Sequence, residues 1–440
     1  MTGAGPRVGA GTGSICLDVG STWTKAVLVR PDGGLAGFAE HPTTSADILT
    51  GVDAAVRAVG AARSPDQRAE PELLACSSVG GGLRLAVVGA ERLTATEAGY
   101  RAARSAGSRV VHVHSGPLEP QDVRLLRSSR PGAVLLTGGA DGDDPSLLLH
   151  NAGKLARARI RYPIVLAGNV AARDDALALL RATGRTVVAC DNVAPRPGEL
   201  VPESARAALA EVFARHVLGG RGPTAAPRFR RMVRTMTPDA VRRGTAELTR
   251  LSGRSVLLVD VGCATTDVHS AVPGGGDARR TVEGDLGVRA AAEGVLVEAQ
   301  TEELVDPVEA DLLAPAVRRM STEPGYVPKD AGGAAEDRRI AALAAVVAAR
   351  RHLRAVLTGP ADAHPPIGLV VLAGGVFRRR DPGGLAAVAG TLRCDEVLGP
   401  LVADAPILVD ADFAVAPAGL LVANGRAEAA EALLRDHLLG

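Results

Sequence analysis

Apolar and polar positions along this 440-residue chain follow two rhythms in turn. Residues 15–30 read as strand, tight turn and returning strand, "ICLDV", "GST" and "WTKAVLVR". A second turn at "PDGG" (31–34) leads into a third strand, "LAGFAEHP", so the domain opens with an antiparallel meander. Residues 47–59 carry apolar side chains at helical spacing. From about residue 73 the apolar runs shorten and recur as "LLACSSVG", "LRLAVVG", "VVHVHSG", "AVLLTGG", "PIVLAGN" and "TVVACDN". Helical segments at 119–127, 146–157 and 171–182 lie between the later runs. Strand–helix alternation with fully apolar strands predicts a parallel βα layer over 73–192, each strand ending in a small, Gly-rich loop.

A Pro-rich link at 195–202 and a helix over 203–217 follow; 225–250 is basic and helical in its second half. Strands return at 256–261 and 266–271. Helices are expected over 289–357, interrupted at Pro307, at Pro315 and by a flexible "KDAGGAAED". "GLVVLAGGVFR" (368–378) reads as a buried strand running into a glycine turn before a helix. The chain closes with "PILVDADFAVAPAGLLVA" and an Ala-rich helix. The expected domains are 14–72 (first lobe), 73–195 (inserted βα domain), 196–250 (helical linker) and 251–440 (second lobe). Val165–Val170 and Val371–Val376 echo one another, either as two strand-to-helix turns under one backbone constraint or as a duplication.

Composition narrows the function classes. Hydrophobic residues make up 46% of the chain but aromatics only 2%, so its cores are built of small aliphatics. Lys and Arg total 50 against 49 Asp and Glu, which gives no electrostatic case for nucleic acid or an anionic membrane. Local basic clusters at 228–234 and 378–380 read as solvated surface. The five cysteines are scattered with no C-x-x-C pair, so neither a disulfide framework nor a zinc site is indicated. The Gly-rich leader lacks an apolar segment, and no apolar run reaches membrane-spanning length. A soluble, cytoplasmic protein is expected.

Two stretches carry candidate chemistry. "LDVGSTWTKA" (17–26) and "VDVGCATTDVHS" (259–270) share the form apolar–Asp–apolar–Gly, a few small residues, then a returning strand. Glycine lets such a turn approach a ligand, and its N–H groups can point at phosphate oxygens. Asp18 or Asp260, at a strand end, can hold the waters of Mg²⁺. The hydroxyls of Ser21, Thr22, Thr265 and Thr266 can donate to phosphate, and Lys25 either reaches it or is a solvated strand residue. Either hairpin alone is equally an ordinary turn, because Asp-x-Gly turns are common. Two in separate lobes say more. The third element is "VVLAGGVFR", where Gly374 and Gly375 leave room for a flat base and ribose against backbone. Asp141, Asp143 and Asp144 cluster at a strand end, where capping of the next helix is the plainer reading. Glu283 and Asp285 precede another helix, and His112, His114 and His269 lack ligand partners at metal spacing.

The order of these elements resembles the actin-like ATPase superfamily, which implies an α/β, two-lobed actin-like (ribonuclease H-like) fold carrying an inserted parallel βα layer. Carried over by that resemblance, ATP and Mg²⁺ bind between the lobes, with Asp18 and Asp260 toward the metal. Asp260 orients or deprotonates the attacking water and Asp267 supports the metal or that water. Gly20, Ser21, Thr22, Lys25, Gly262, Thr265 and Thr266 meet the phosphates, and Gly374 and Gly375 the adenosine. Cys263 departs from the pattern, which has glycine there.

A closer likeness spans nearly the whole chain. "CLDVGSTWTKAVLV", "CSSVGGGLRLAVVG", "LLTGGADGDD", "PIVLAGN", "VDVGCATTDVHS" and "TVEGDLGVR" in this order resemble the GlmL/MutL accessory proteins of glutamate (methylaspartate) mutase, unrelated to the mismatch-repair proteins of that name. The resemblance implies an ATP-dependent chaperone or reactivating factor for an adenosylcobalamin-dependent mutase, with the mutase subunits as partners. Three other readings stay open: a radical-enzyme activator carrying an iron–sulfur cluster, a small-molecule kinase, and an actin-like scaffold that binds nucleotide without turnover.

Overall fold

In the computed structural model the first apolar run, Ser14–Val19 (β1), turns back into Trp23–Val29 (β2), which pairs antiparallel with Leu35–Pro42 (β3). The described residues are 12–44, 47–61, 70–78, 83–90, 95–106, 108–158, 160–212, 227–275, 278–323, 325–356, 366–378 and 382–440. The helix Ile48–Gly60 starts where the Asp47 carboxylate accepts from Leu49 N. Glu72–Ser77 (β4) then pairs parallel with β1. Five strands follow in a second sheet: Arg84–Gly89 (β5), Arg109–Ser115 (β6), Ala133–Leu136 (β7), Ile164–Leu166 (β8) and Val187–Ala189 (β9), all parallel. Val233–Met236 (β10) returns to the first sheet beside β4. A third sheet holds Val256–Val261 (β11), Thr266–Ala271 (β12), Arg279–Glu283 (β13), Leu369–Ala373 (β14) and Ile407–Val409 (β15).

The first and third sheets repeat one plan. Their orders, β10-β4-β1-β2-β3 and β13-β12-β11-β14-β15, both place an antiparallel three-strand meander beside two further parallel strands. This duplicated sheet is the actin-like arrangement. Both copies lie in one compact unit, Met1–Ser78 with Met232–Gly440; the all-parallel sheet belongs to a second, Val79–Arg231.

The duplicated sheets share a core. Side chains alternate along a strand, so Cys16, in that core, shares a face with Asp18, and Leu258 shares one with Asp260. Leu74 and Cys76 of β4 and Val371 of β14 join them, together with the helices Thr237–Ser252 and Val415–Ala423. Those two helices touch backbone to backbone. A Cβ on Gly244 would fall far inside contact distance of Val415 O, and one on Gly419 would do so against Ala240 O. A second core on the other face of β11 and β12 is filled by Ala292–Thr301, Pro307–Thr322 and the Ala-rich Ala331–Val356.

Several expectations change. The run from Leu73 belongs to β4 and the first sheet, so the inserted unit starts after Ser78. It extends to Arg231, taking in much of the expected linker, and the remainder of that linker is β10 and Thr237–Ser252. Most of "KDAGGAAED" is helical: the helix begins at Ala331, where the Asp330 carboxylate accepts from Gly333 N at 2.8 Å. Pro315 sits inside Pro307–Thr322 without ending it. The helix after Pro202 is Glu203–Val212, and the expected continuation to 217 lies outside the described residues. After Gly374 and Gly375 the chain makes a turn, and the next helix, Pro382–Cys394, begins further on.

The helix crossing makes a direct test. Gly244→Ala and Gly419→Ala must push the two backbones apart and are expected to destabilise the fold by about 2–3 kcal/mol in urea unfolding. Gly390→Ala, in an open helical position, is expected to be neutral or to stabilise by up to about 1 kcal/mol.

Candidate functional site

The two hairpin turns are closed in the same way. Gly20 N donates to Trp23 O at 3.0 Å, and Gly262 N donates to Thr265 O at 2.9 Å. A Cβ would stand 2.8 Å from Trp23 O in the first turn and 2.9 Å from Thr265 O in the second, so both positions require glycine. The first turn is braced by Thr43, whose hydroxyl donates to Gly20 O at 2.8 Å, and by Ser78 N on Val19 O at 3.0 Å. The second is braced by residues 288–290: Val288 N reaches Gly262 O at 3.0 Å, and Arg289 N and Ala290 N both reach Cys263 O. Buried Arg289 is itself anchored by Asp337 through paired bonds of 2.7 and 3.1 Å.

Each turn sets a carboxylate opposite a specific neighbour. By register Asp18 faces Lys25, and Asp260 faces Asp267. The Lys25 Nζ lies 3.5 Å from Asp18 Oδ2, and the Thr237 hydroxyl donates to Asp18 Oδ1 at 2.6 Å. Asp267 is held by the buried Arg280, whose Nε and a second guanidinium nitrogen both donate to Oδ1, and by Thr265 at 3.1 Å on Oδ2. Asp260 makes no hydrogen bond among the described residues and is half-buried. Burial pushes its pKa up to about 6; the Asp267, Asp18 and Asp410 carboxylates add to this and Lys25 opposes it.

Asp260, Lys25, Gly374, Arg378, Asp410 and Phe413 line one cavity of about 20 Å³, room for a single water. Gly374, at φ 120°, packs so closely on β11 that a Cβ would collide with Val261 O. Buried Asp410 ends β15 and caps the next helix, accepting from Ala414 N at 2.6 Å and Val415 N at 3.2 Å. Burial raises its pKa while these two N–H donors lower it. Phe413, at φ 55°, places its ring 4.9 Å from Lys25 Nζ. Its ring meets Phe38 edge-on at 6.4 Å, and Arg378 lies over Phe38 while bonding Glu40 Oε2 at 2.6 Å. These contacts join β2 and β3 of one sheet to the segments after β14 and β15 of the other.

The structure thus gathers Lys25, Asp260 and Gly374 around the cavity, with Asp18 paired to Lys25. Ser21 is exposed and Thr22 half-buried in the first turn. Thr266 differs from expectation: its buried hydroxyl donates to Leu286 O at 2.6 Å and does not face outward. Gly375 is not among the cavity-lining residues. Glu283 and Asp285 are taken up by Arg351, at 3.0 and 2.8 Å. His269 is fully buried on β12, its pKa driven well down by burial and by Arg280, His352 and Arg242. Asp144 accepts from Ser146 N at 3.0 Å, the capping role, and Asp141 binds Val170 N and Asn192 Nδ2, both at 2.9 Å. No group of three or more potential metal ligands occurs among the described residues. Nor is any described helix long and apolar enough to cross a membrane. Sequence reading passed over Thr237, Arg280, Arg378, Asp410 and Phe413; only the interrupted polarity of "VDADF" hinted at Asp410.

Comparison with known proteins adds a family. A family model described as MutL protein matches residues 14–438. Protein MutL of Clostridium tetanomorphum is 33% identical over 298 residues, which is 63% of this chain and 64% of that protein, so the match spans just under two thirds of the relative's length. Among solved structures, a ROK family glucokinase from Streptomyces griseus aligns at 11% identity over 96% of this chain and 99% of its own, with TM-score 0.34. The ethanolamine utilization protein EutJ from Carboxydothermus hydrogenoformans aligns at 10% identity over 96% and 90%, with TM-score 0.27. The Acidaminococcus fermentans (R)-2-hydroxyglutaryl-CoA dehydratase component A aligns at 9% over 96% and 97%, with TM-score 0.30. Similarities this loose carry no functional statement.

The raised Asp260 pKa has a consequence for stability. Its folded value of about 6 exceeds the ordinary carboxylate value, so the folded state holds this proton more tightly than the unfolded state. That contribution is full at acid pH and is lost as pH rises through about 6. Asp260→Asn is therefore expected to stabilise the protein by about 1–3 kcal/mol near pH 8 and to make no difference near pH 4. Thermal melts across that range check it; a variant equally offset at both ends would contradict the assignment.

Proposed function

The chain belongs to the MutL family, and from that premise we propose that it is an ATP-dependent accessory factor, a chaperone or reactivator, for an adenosylcobalamin-dependent mutase of the glutamate (methylaspartate) type. The observation that carries the ATP part is the pair of matching Asp-bearing hairpins, one in each duplicated sheet. The mutase partner rests on family membership and on the serial likeness to the mutase accessory proteins.

In this reading the N–H groups of residues 21–22 and 263–265 cradle the phosphates from opposite sides, with Ser21, Thr22 and Thr265 as hydroxyl donors. The carboxylates fit Mg²⁺ as that ion is usually held with a nucleotide, through one or two carboxylates with water and phosphate completing the shell. Asp18 and Asp260 would hold it, and the ion would supply charge neutralisation to the phosphates. Asp260 makes no hydrogen bond among the described residues, so its carboxylate is available to the ion and its waters and to accept a proton from an attacking water. Asp267, fixed by Arg280, positions the second turn and its charge. Lys25 counters the carboxylates until phosphate replaces Asp18 as its partner. Gly374 presents bare backbone to the base.

A cavity of about 20 Å³ admits no nucleotide. Binding therefore requires the two sheets to part and the Arg378–Glu40 and Phe38–Phe413 contacts to open. That motion is the means by which ATP could do work on a partner, such as releasing a damaged cobalamin from a closed mutase. Arg280 on Asp267 and the inward Thr266 hydroxyl leave few groups free for chemistry, which favours slow turnover.

The test is phosphate release with and without an inactivated holo-mutase, ATP and free adenosylcobalamin. Wild type is expected to turn over slowly and to restore mutase activity only with ATP. Asp260→Asn should lower turnover by about 100-fold or more, beyond whatever Mg-ATP affinity it loses, whereas Asp18→Ala should act chiefly by weakening Mg-ATP binding. Restoration without ATP, or by both variants at the wild-type rate, would sink the proposal. Nucleotide binding without phosphate release would leave the scaffold reading in its place.

A further inference from the structure

The unit Val79–Arg231 contains a second candidate site, independent of the ATP reading. Its parallel strands run β6-β5-β7-β8-β9, so the chain leaves β5 toward one edge and β7 toward the other. Loops diverge at such a reversal and leave a crevice beyond the carboxyl ends of the strands, where ligands bind in open α/β sheets. A cavity of about 150 Å³ lies there, lined by Glu97 and Arg101 after β5, Gly139 and Asp143 after β7, and Arg196 and Glu199 after β9.

Its walls are fixed in advance. The buried Thr137 hydroxyl donates to Ala95 O at 2.8 Å, tying the loop after β7 to the segment after β5. Asn192 Nδ2 binds Gly139 O at 3.0 Å and Asp141 Oδ1 at 2.9 Å, and Asn169 Nδ2 binds Asp143 O at 2.8 Å. Both asparagines are buried, so three post-strand loops are locked together by side chains with no solvent alternative. Such bracing presets a pocket at little entropic cost to a ligand.

We propose that this crevice binds a small zwitterion of the amino-acid class. Size argues first: a cavity of about 150 Å³ holds a molecule of roughly benzene's bulk and is too small for a nucleoside phosphate. Charge argues next. Glu97, Asp143 and Glu199 outnumber Arg101 and Arg196, which disfavours a polyanion. Arg196 is already paired with Glu199 at 3.3 Å, and Asp143 Oδ2 accepts from Ala140 N at 3.2 Å. Glu97 and Arg101 make no ion pair or hydrogen bond among the described residues and stand one turn apart on the helix Glu97–Ser105. Their Cβ atoms stand about 5–6 Å apart on one helix face, so a carboxylate and a guanidinium flank the same part of the crevice and can meet an ammonium and a carboxylate on one small molecule. The carboxylate takes the Arg101 fork and the ammonium takes Glu97.

Calorimetric titration of the full chain with each of the protein amino acids at millimolar concentration tests this. At least one is expected to bind, and Arg101→Ala and Glu97→Gln are each expected to weaken it by about tenfold or more. Both side chains are exposed, so the variants should fold, which circular dichroism checks. Asp18→Asn is expected to keep the amino-acid binding unchanged, which separates this site from the nucleotide site. Silence with every amino acid, binding that survives in the Arg101→Ala Glu97→Gln double variant, or Arg101-dependent binding of AMP would overturn the proposal.

Discussion

Two helices meet without side chains between them, and the candidate site is organised around that meeting. At Gly244 and Gly419 the backbones of Thr237–Ser252 and Val415–Ala423 come into direct contact. Each helix belongs to one copy of the duplicated sheet, following its outermost parallel strand, β10 or β15. Each begins at the site: Thr237 bonds Asp18, and Asp410 caps Val415–Ala423 while lining the cavity with Asp260. The glycine contact therefore sets how near the two carboxylate-bearing hairpins stand. A side chain at either glycine would act on the site from a distance, through the helix starts.

Electrostatics make the same site responsive. Asp18, Asp267 and Asp410 all act on Asp260 in a poorly solvated region, and Lys25 is the cation that Asp18, Asp260 and Asp410 have in common. Arg280 satisfies Asp267, Thr237 satisfies Asp18, and backbone N–H groups satisfy Asp410. Asp260 makes no hydrogen bond among the described residues, and burial, with the neighbouring carboxylates adding to it, raises its proton affinity. Cations or phosphate entering between the sheets would redistribute these charges, and the helix starts would feel the change.

How much of this was legible beforehand depends on range along the chain. The hairpins were readable because apolar–Asp–apolar–Gly followed by a returning strand is a local pattern, and the register indeed sets Asp18 against Lys25 and Asp260 against Asp267. Asp47 as a helix start and Leu369–Ala373 as a buried strand were equally local. What escaped was long-range or small. Nothing in "LLACSS" says that β4 pairs with β1 and not with β5, because an apolar run suits either sheet. The short β10 and the Arg-bearing β13 have no apolar rhythm of their own and owe their form to neighbouring strands. Thr237 and Arg280 come to the site only through pairings that cross many residues. Thr266 was misread because alternation along β12 turns its hydroxyl inward to Leu286 O.

The duplicated sheets carry the two Asp-bearing turns, and the inserted unit adds a preformed crevice of a different chemical character. The central claim concerns the sheets: the two turns are opposite sides of one phosphate grip. The most direct measurement is a structure determined with Mg²⁺ and a non-hydrolysable ATP analogue. The account predicts the phosphate chain between residues 20–22 and 262–265, Lys25 moved from Asp18 onto phosphate, the Arg378–Glu40 pair opened, and the base against Gly374. A nucleotide bound elsewhere, or bound with the Lys25–Asp18 pair and the 20 Å³ cavity unchanged, would contradict it.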